Sequence, residues 1–132
     1  MKKIGIINQP ISALIAGLGH MDRIVIADAG LPIPAETTRI DLALREGVPM
    51  FMQTLETILE EMQVESAIIA EEISEYNPQM EASIRTALGE IPITKIPHKQ
   101  FKHETSSTRA VIRTGEFSPY SNIILVSGVV FG

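Results

Sequence analysis

The hydrophobic positions along the chain follow two periods. Short apolar runs rich in β-branched residues predict strands at residues 3–7, 23–27, 39–44, 64–70, 91–96, 110–113 and 122–130. Between them, apolar residues spaced i, i+3, i+4 and i+7 predict helices at residues 9–18, 51–62, 78–88 and 98–106. Strands that alternate with helices indicate an α/β fold. We therefore predict a single domain, residues 1–132, with a largely parallel sheet flanked by helices on both faces.

Composition narrows the classes of function. A chain of 132 residues with 45% hydrophobic and 20% charged residues is typical of one water-soluble domain. It contains no cysteine, which excludes a disulfide scaffold and thiol catalysis and fits a reducing cytoplasm. No run approaches the ~20 apolar residues of a membrane span. The net charge of −5 and the lack of a basic stripe argue against nucleic acid. We expect a cytoplasmic protein that binds neither membrane nor nucleic acid.

Two polar residues, His20 and Asp28, flank the predicted strand 23–27. Gly19 suits the position that ends the first helix, so His20 is expected just beyond a helix C-terminus, where an imidazole can also serve simply as a cap. Aspartate is a poor strand former and needs polar partners at the end of an apolar strand. For Asp28, a turn-forming role ahead of Gly30 is the alternative to a functional one.

Two further clusters carry candidate chemistry. His98 and Lys102 are spaced i, i+4, so they share one face of a short helix, beside Phe101. An amphipathic helix with solvated lysines is the alternative. Tyr120 and Asn122 lie in a long polar loop between the last two strands and can recognise hydroxyl groups. Ligands of such sheets bind beyond the carboxyl ends of the strands, and Asp28, Glu71 and His98 each follow a predicted strand.

Familiar nucleotide, phosphate and nucleophile motifs are missing from the sequence. No Gly-x-Gly-x-x-Gly follows the first predicted strand, and there is no Gly-Lys-Ser/Thr loop and no Gly-x-Ser-x-Gly elbow. His98 and His103 are five residues apart, which disfavours a metal site on one helix face. The remaining imidazoles, carboxylate, lysine, phenol and amide suit a small polyhydroxylated ligand and proton transfer, with no metal and no cofactor.

Three motifs give the whole chain a family resemblance. Residues 19–34, GHMDRIVIADAGLPIP, the spaced set His98-x-x-Phe101-Lys102, and residues 110–122, AVIRTGEFSPYSN, resemble the D-ribose pyranase (sugar mutarotase) family. The resemblance implies an isomerase that interconverts the pyranose and furanose forms of D-ribose and assembles as a ring-shaped homo-oligomer, a decamer. It also implies that His20 is the proton donor. The sugar would be bound by the positions matching Asp28, His98, Tyr120 and Asn122, with Lys102 close by.

The separation of His20 from Asp28 raises a geometric question. If residues 20 to 28 were fully extended, the two would lie about 26 Å apart, much farther than a ribose can span. Either the chain curls on both sides of the strand, or the two residues reach one sugar from different subunits, and we favour a site at a subunit interface. The competing functions are a non-catalytic sugar- or nucleotide-binding module, a structural ring-forming subunit, and a mutarotase for another sugar such as fucose.

Overall fold

The computed structural model describes residues 1–132 and contains one six-stranded sheet with five α-helices. The helices are α1 (Gln9–Ala16), α2 (Phe51–Leu59), α3 (Ile73–Tyr76), α4 (Pro78–Leu88) and α5 (His98–Glu104), and a 3₁₀ turn (Thr105–Ser107) follows α5. The strands are β1 (Arg23–Ala27), β2 (Arg39–Asp41), β3 (Val64–Ala70), β4 (Ile93–Ile96), β5 (Val111–Arg113) and β6 (Ile123–Ser127). None of the helices is long and apolar enough to cross a bilayer.

The strand order in the sheet is β2-β5-β1-β6-β3-β4. The pairs β2–β5, β5–β1 and β3–β4 are parallel, whereas β6 is antiparallel to both of its neighbours, β1 and β3. The predicted largely parallel sheet is therefore confirmed, with one reversed strand at its centre. Because β6 runs backwards, its first residue lies at the edge of the sheet where the parallel strands end.

Both faces of the sheet are covered, as predicted. Alternate side chains of β1 point to opposite faces. Ile24 and Ile26 belong to the larger apolar cluster, which contains buried residues of α1, α2, α3 and α4. Val25 and Ala27 belong to a smaller cluster with Phe101 of α5. The central strands β1 and β6 are thus buried on both faces, and functional side chains can be displayed only at their ends.

The predicted strand at residues 3–7 is wrong. Gly5 adopts a left-handed φ of 78°, which interrupts an extended chain. The backbone of Ile6 is also bound by side chains, since its N–H donates to Glu61 and its carbonyl accepts from Lys2 and Ser12. Only Ile6 in this segment is buried. Side chains therefore satisfy backbone groups that a neighbouring strand would otherwise pair.

Other differences concern element ends. The predicted strand 122–130 ends at Ser127, which leaves Val130 and Phe131 exposed. The first helix ends at Ala16 with Gly17 as its C-cap, earlier than predicted. Asn8 caps the N-terminus of that helix as expected, and its side chain accepts from Ile11 N–H at 3.0 Å. The short helix α3 was not predicted, because four residues are too few to display a helical period.

Candidate functional site

Candidate side chains gather at the edge where the parallel strands end. Asp28 follows β1, His98 follows β4 as the first residue of α5, and Asn122 immediately precedes the reversed strand β6. The pairing of Ile26 with Ile123 brings the end of β1 beside the start of β6. We call this the carboxyl edge, and the side chains of Asp28, His98, Lys102, Tyr120 and Asn122 the carboxyl-edge cluster.

Asp28 is locked to Asn122 by two hydrogen bonds. Asp28 N–H donates to Asn122 Oδ1 at 2.8 Å, and Asn122 Nδ2 donates to Asp28 Oδ2 at 3.0 Å. Asp28 Oδ1 also accepts from Gly30 N–H at 3.0 Å, so the turn-forming role is real as well. Asn122 is fully buried. The asparagine therefore fixes the direction of the aspartate carboxylate rather than facing solvent itself.

Burial raises the pKa of Asp28 above its ordinary value. The hydrogen bonds from Gly30 and Asn122 and the nearby His98 lower it, but they do not cancel the desolvation. The carboxylate is thus poised to accept a proton or a hydroxyl hydrogen bond more readily than an exposed aspartate.

His98 is held at the N-terminus of α5 by Glu72, a residue that the sequence did not single out. The Glu72 carboxylate accepts from His98 N–H through both oxygens, at 2.9 and 3.1 Å. Glu71, which the sequence placed at this edge, is exposed instead. Burial and then the charge of Lys102 lower the pKa of His98, against the opposing effect of Glu72 and Asp28. The lowered pKa favours the uncharged imidazole at neutral pH.

Tyr120 is presented by a left-handed backbone. Its φ is 58°, which is unfavourable for a residue with a side chain and persists only where the surroundings impose it. Asn77 supplies part of that restraint, since its Nδ2 donates to Pro119 O at 2.8 Å and to Ser121 Oγ at 3.3 Å. The Tyr120 ring packs edge-on against His98, with centroids 4.9 Å apart and an interplanar angle of 89°.

Lys102 lies on the exposed surface of α5, one turn after His98, as its spacing predicted. Its charge is close enough to lower the pKa of His98. Phe101, between them, is fully buried and anchors the helix to the sheet, and its ring is stacked near the His98 ring at a centroid distance of 6.3 Å. The short helix thus presents an imidazole and an ammonium group together.

The loop that joins β5 to β6 is anchored by Glu116. One carboxylate oxygen of Glu116 accepts from Phe51 N–H at 3.0 Å, and the other accepts from Ser118 Oγ at 2.8 Å. The loop forms one wall of a cleft of about 380 Å³ that includes Asp28 and Arg113. Three larger grooves, one between α2 and α4 and two beside α1, contain none of the carboxyl-edge cluster. The cleft beside Asp28 has room for a monosaccharide.

His20 lies at the opposite edge of the sheet, before β1 begins, where β3 starts and β6 ends. We call this the amino edge. The His20 side chain is half exposed, and its Nε2–H donates to Glu65 Oε1 at 2.9 Å. The helix α1 is already capped at Gly17, so the cap interpretation of His20 is wrong. Turns on both sides of β1 do not bring His20 to Asp28, because the extended strand separates them.

Sequence reasoning missed Glu72, Glu116 and Glu65, which hold the site residues in place. Each is a single acidic residue within a pattern that also fits a solvated surface. Their partners are 26, 65 and 45 residues away in sequence. No local signal distinguishes such a residue from an ordinary surface glutamate. No group of three or more His, Cys, Asp or Glu side chains is arranged to hold a metal ion.

Comparison with known proteins places this geometry in a family. The family model described as the RbsD / FucU transport protein family matches residues 1–130. A D-ribose pyranase of Laribacter hongkongensis is 56% identical over 99% of this chain and 100% of its own. A D-ribose pyranase of Geobacillus kaustophilus is 52% identical over 99% and 96%.

Solved structures agree with the sequence comparison. The structure of Bacillus subtilis RbsD complexed with D-ribose matches with a TM-score of 0.97 and 46% identity, over 99% of this chain and 100% of that one. The fucose mutarotase of Streptococcus pneumoniae in complex with L-fucose matches with a TM-score of 0.82 and 28% identity, over 95% of each chain. The match of the family model to almost the whole chain, together with these relatives, shows that the chain belongs to the RbsD / FucU family.

Proposed function

We propose that this chain is a D-ribose pyranase, a cofactor-independent isomerase that interconverts the pyranose and furanose forms of D-ribose. The observation that carries the proposal is the match, at a TM-score of 0.97, to a relative whose structure holds D-ribose. The carboxyl-edge cluster supports it, because Asp28 lines a cleft of about 380 Å³ and the Tyr120 ring packs against His98, whose pKa responds to the charges of both Asp28 and Lys102. The two pyranases at 52–56% identity support the same reaction.

The reaction requires two proton movements and no redox change. Opening the pyranose adds a proton to the ring oxygen and removes one from the anomeric hydroxyl, as the bond between C1 and the ring oxygen breaks. The open aldehyde then rotates, and a different hydroxyl attacks C1 to form the furanose. That hydroxyl loses a proton while the carbonyl oxygen gains one, so protons balance over the cycle. Imidazole suits this exchange because its ordinary pKa of about 6.5 lies near neutral pH.

We assign the proton-donor role to His20 and the binding role to the carboxyl-edge cluster. The Asp28 carboxylate, directed by the buried Asn122, accepts from sugar hydroxyls. Neutral His98 and the Tyr120 hydroxyl supply further donors and acceptors, and the Lys102 ammonium group donates only. The raised pKa of Asp28 helps its carboxylate to accept the anomeric hydroxyl proton.

A complete site then needs two copies of the chain. Along β1, the four steps from Arg23 to Ala27 hold the two edges roughly 13 Å apart, whereas a sugar ring is only a few ångströms across. We propose that His20 at the amino edge of one subunit faces the carboxyl-edge cluster of the next. Repeating this contact around a closed ring gives a homo-oligomer, which the family resemblance puts at ten subunits.

Ribose is preferred over fucose in this proposal because the match to the ribose-bound relative is better in both fold and identity. The TM-scores are 0.97 and 0.82, and the identities are 46% and 28%. The cysteine-free chain fits a reducing compartment, so we propose a cytoplasmic role in ribose catabolism. There the enzyme would supply the ring form that a subsequent step consumes.

Magnetisation-exchange NMR tests the proposal directly. Saturation of one anomeric signal of D-ribose should transfer to the signals of the other ring forms faster with the protein than without it. Matched samples with L-fucose test the choice of sugar. Exchange accelerated for ribose and not for fucose supports the assignment. If neither sugar exchanges faster while ribose still binds, the chain is a binding module instead.

A further inference from the structure

The contact between His20 and Glu65 is built from separate parts of the chain. His20 lies in the turn before β1, and Glu65 is the second residue of β3, 45 residues later. Both side chains are partly exposed, at 54% and 40%. An exposed ion pair contributes little to stability. The backbone around both residues is nevertheless specialised, which points to a role for the contact other than stability.

Glu65 is placed by a β-bulge. Along β3, Val64 pairs with Ser127 and Ser66 pairs with Val126, so two steps on β3 correspond to one step on β6. Glu65 is the extra residue of this bulge. A bulge redirects a side chain that a regular strand would point elsewhere, and such bulges are frequent beside active sites.

Gly128 leaves the space that Glu65 occupies. A Cβ atom at position 128 would lie 3.1 Å from Glu65 Cβ, closer than most side chains approach, and at an ordinary contact distance of 3.5 Å from Glu65 N and Gln63 Cγ. A hydrogen bond also fixes the backbone of Gly128, since its N–H donates to Gln63 O at 2.9 Å. A residue with a side chain at 128 would therefore require Glu65 to shift by a few tenths of an ångström.

The turn that carries His20 is fixed to the same end of β6. Asp22 N–H donates to Gly19 O at 3.2 Å across the turn, and Met21 has a left-handed φ of 73°. Met21 N–H donates to Ser127 O at 2.9 Å, and Ser127 N–H donates to Asp22 O at 2.8 Å. The turn that carries the His20 imidazole is thus hydrogen-bonded to Ser127, and the strand that carries the Glu65 carboxylate pairs with Ser127 through Val64.

We propose that Glu65 is a positioning residue for His20, and that it makes Nδ1 the atom that exchanges protons with the sugar. This inference rests on the proposed function, in which His20 is the proton donor. The Glu65 carboxylate accepts from Nε2–H and keeps that proton in place. The other ring nitrogen, Nδ1, is left to face the substrate carried by the neighbouring subunit.

The proton balance follows from this arrangement. In the charged imidazolium, Nε2–H donates to Glu65 while Nδ1–H passes its proton to the ring oxygen of ribose as the bond to C1 breaks. The neutral ring keeps its proton on Nε2, and the lone pair on Nδ1 is free. When another hydroxyl attacks C1, Nδ1 takes the proton that this hydroxyl loses. The same nitrogen thus gives and recovers one proton. Asp28 takes the anomeric hydroxyl proton on opening and returns it to the carbonyl oxygen on reclosure, and Glu65 stays ionised throughout.

The test uses the intact oligomer with Glu65→Gln, which preserves shape and removes the charge. We expect kcat for ribose exchange to fall roughly 10-fold or more, with KM changed less than about 2-fold, because the donor is misoriented while the binding groups are intact. Long-range ¹H–¹⁵N spectra of His20 report the ring tautomer. They should show Nε2–H in the unmodified protein and a mixture in the variant. Glu56→Gln, an exposed glutamate of α2 with the same charge change, is the control and should leave both measurements unchanged.

A second variant tests the position of Glu65 without removing its charge. Gly128→Ala should displace Glu65 and reduce kcat in the same way, and combining it with Glu65→Gln should add little further loss. Normal kcat in Glu65→Gln, or an unchanged tautomer despite lost activity, overturns the positioning role. His20→Ala separates this inference from the proposed function. If His20→Ala retains full exchange, the donor assignment itself fails. If His20→Ala is inactive and Glu65→Gln is normal, only the role of Glu65 fails.

Discussion

His20 and Asp28 lie at opposite ends of one extended strand, β1, so no bending of the turns beside it can bring them to one sugar within a single chain. Asp28 is tied to Asn122 at the carboxyl edge, and His20 to Glu65 at the amino edge. The reaction proposed for this chain needs both groups. Its active site is therefore a property of the assembled protein in this proposal.

Mixed oligomers test the shared site. His20→Ala and Tyr120→Phe should each impair exchange, but co-assembly in equal amounts should restore roughly a quarter of the sites. Only a site that draws His20 from one variant and Tyr120 from the other has both residues intact, and random mixing gives that combination once in about four. The measurement is the ribose exchange rate after the two variants are unfolded and refolded together.

The matched control combines Asp28→Asn with Tyr120→Phe. Both residues belong to the carboxyl edge of one chain, so every site in that mixture keeps one defect and no activity should return. Equal recovery in both mixtures, or none in the first despite verified co-assembly, would contradict a site divided in this way.

His20→Ala should separate catalysis from stability. Removing a proton donor typically costs ~10²–10⁴-fold in rate. The side chain is half exposed and its polar partner is Glu65, so the free energy of unfolding should change by less than about 1 kcal/mol. Ring exchange and chemical denaturation measure the two quantities. A variant that is markedly destabilised yet exchanges ribose normally would assign His20 a structural role only.

Lys102→Gln should raise the pKa of His98 towards its ordinary value. After burial, the Lys102 charge is the largest cause of the lowered pKa. NMR titration of the His98 ring protons measures the change. Lys99→Gln removes the same charge from another exposed position of α5, three residues earlier, and should shift the titration less. Equal shifts in the two variants would mean that net charge, rather than the placement of Lys102, lowers the pKa.

The lowered pKa of His98 also makes the stability of the fold depend on pH. Because the folded protein holds the pKa of His98 below that of an unfolded chain, neutral His98 favours the folded state most fully above about pH 6.5. That contribution is lost as the pH falls from there through the folded pKa. The His98→Gln variant should therefore show a smaller loss of stability over this interval than the unmodified protein.

Glu81→Gln should lower the free energy of unfolding at neutral pH. It should also make that free energy fall less as the solution is acidified. The pKa of Glu81 is lowered to about 2, first by Lys95, whose Nζ lies 2.7 Å from Glu81 Oε2, and also by Ser74 and Arg85. Because this carboxyl pKa is lowered, ionised Glu81 stabilises the fold at pH values above its ordinary pKa of about 4.5. That contribution is lost as the pH falls from about 4.5 towards 2. Because Lys95 and Arg85 are partly exposed, we expect roughly 1 kcal/mol.

Thermal melts between pH 2 and 7 measure that contribution. Glu90→Gln changes the charge equally at an exposed position after α4 and should leave the acid profile as it was. Parallel profiles for Glu81→Gln and Glu90→Gln would remove the ion-pair explanation.

Extensive dialysis against EDTA should leave ribose exchange unchanged. The proton movements of ring opening and closure can be carried by His20 and the carboxyl-edge cluster alone, with no Lewis acid. The measurement is the exchange rate before and after dialysis, with added divalent metal as the comparison. Activity that disappears on dialysis and returns only with metal would contradict cofactor-independent catalysis.

The sequence by itself determined the elements that rest on local periodicity. The strands Arg23–Ala27 and Val64–Ala70 were predicted with the bounds that the structure has, because short apolar runs rich in β-branched residues favour a strand. The cap at Asn8 was also predicted from the sequence. So was the need of Asp28 for polar partners, because an aspartate at the end of a buried strand must find them. These signals depend on residues close together in the chain.

Only the tertiary structure decided which residues hold the site in place. Pairings between distant segments decide the reversed direction of β6, the bulge at Glu65 and the contact of Glu72 with His98. The sequence of neither segment shows a periodic pattern that would reveal such a pairing. Residues 3–7 illustrate the same limit: their β-branched pattern favours a strand, but Glu61, Lys2 and Ser12 bind the backbone of Ile6 instead. Local propensity amounts to less than about 1 kcal/mol per residue, so these side-chain hydrogen bonds, one of them from a residue 55 positions away, override it.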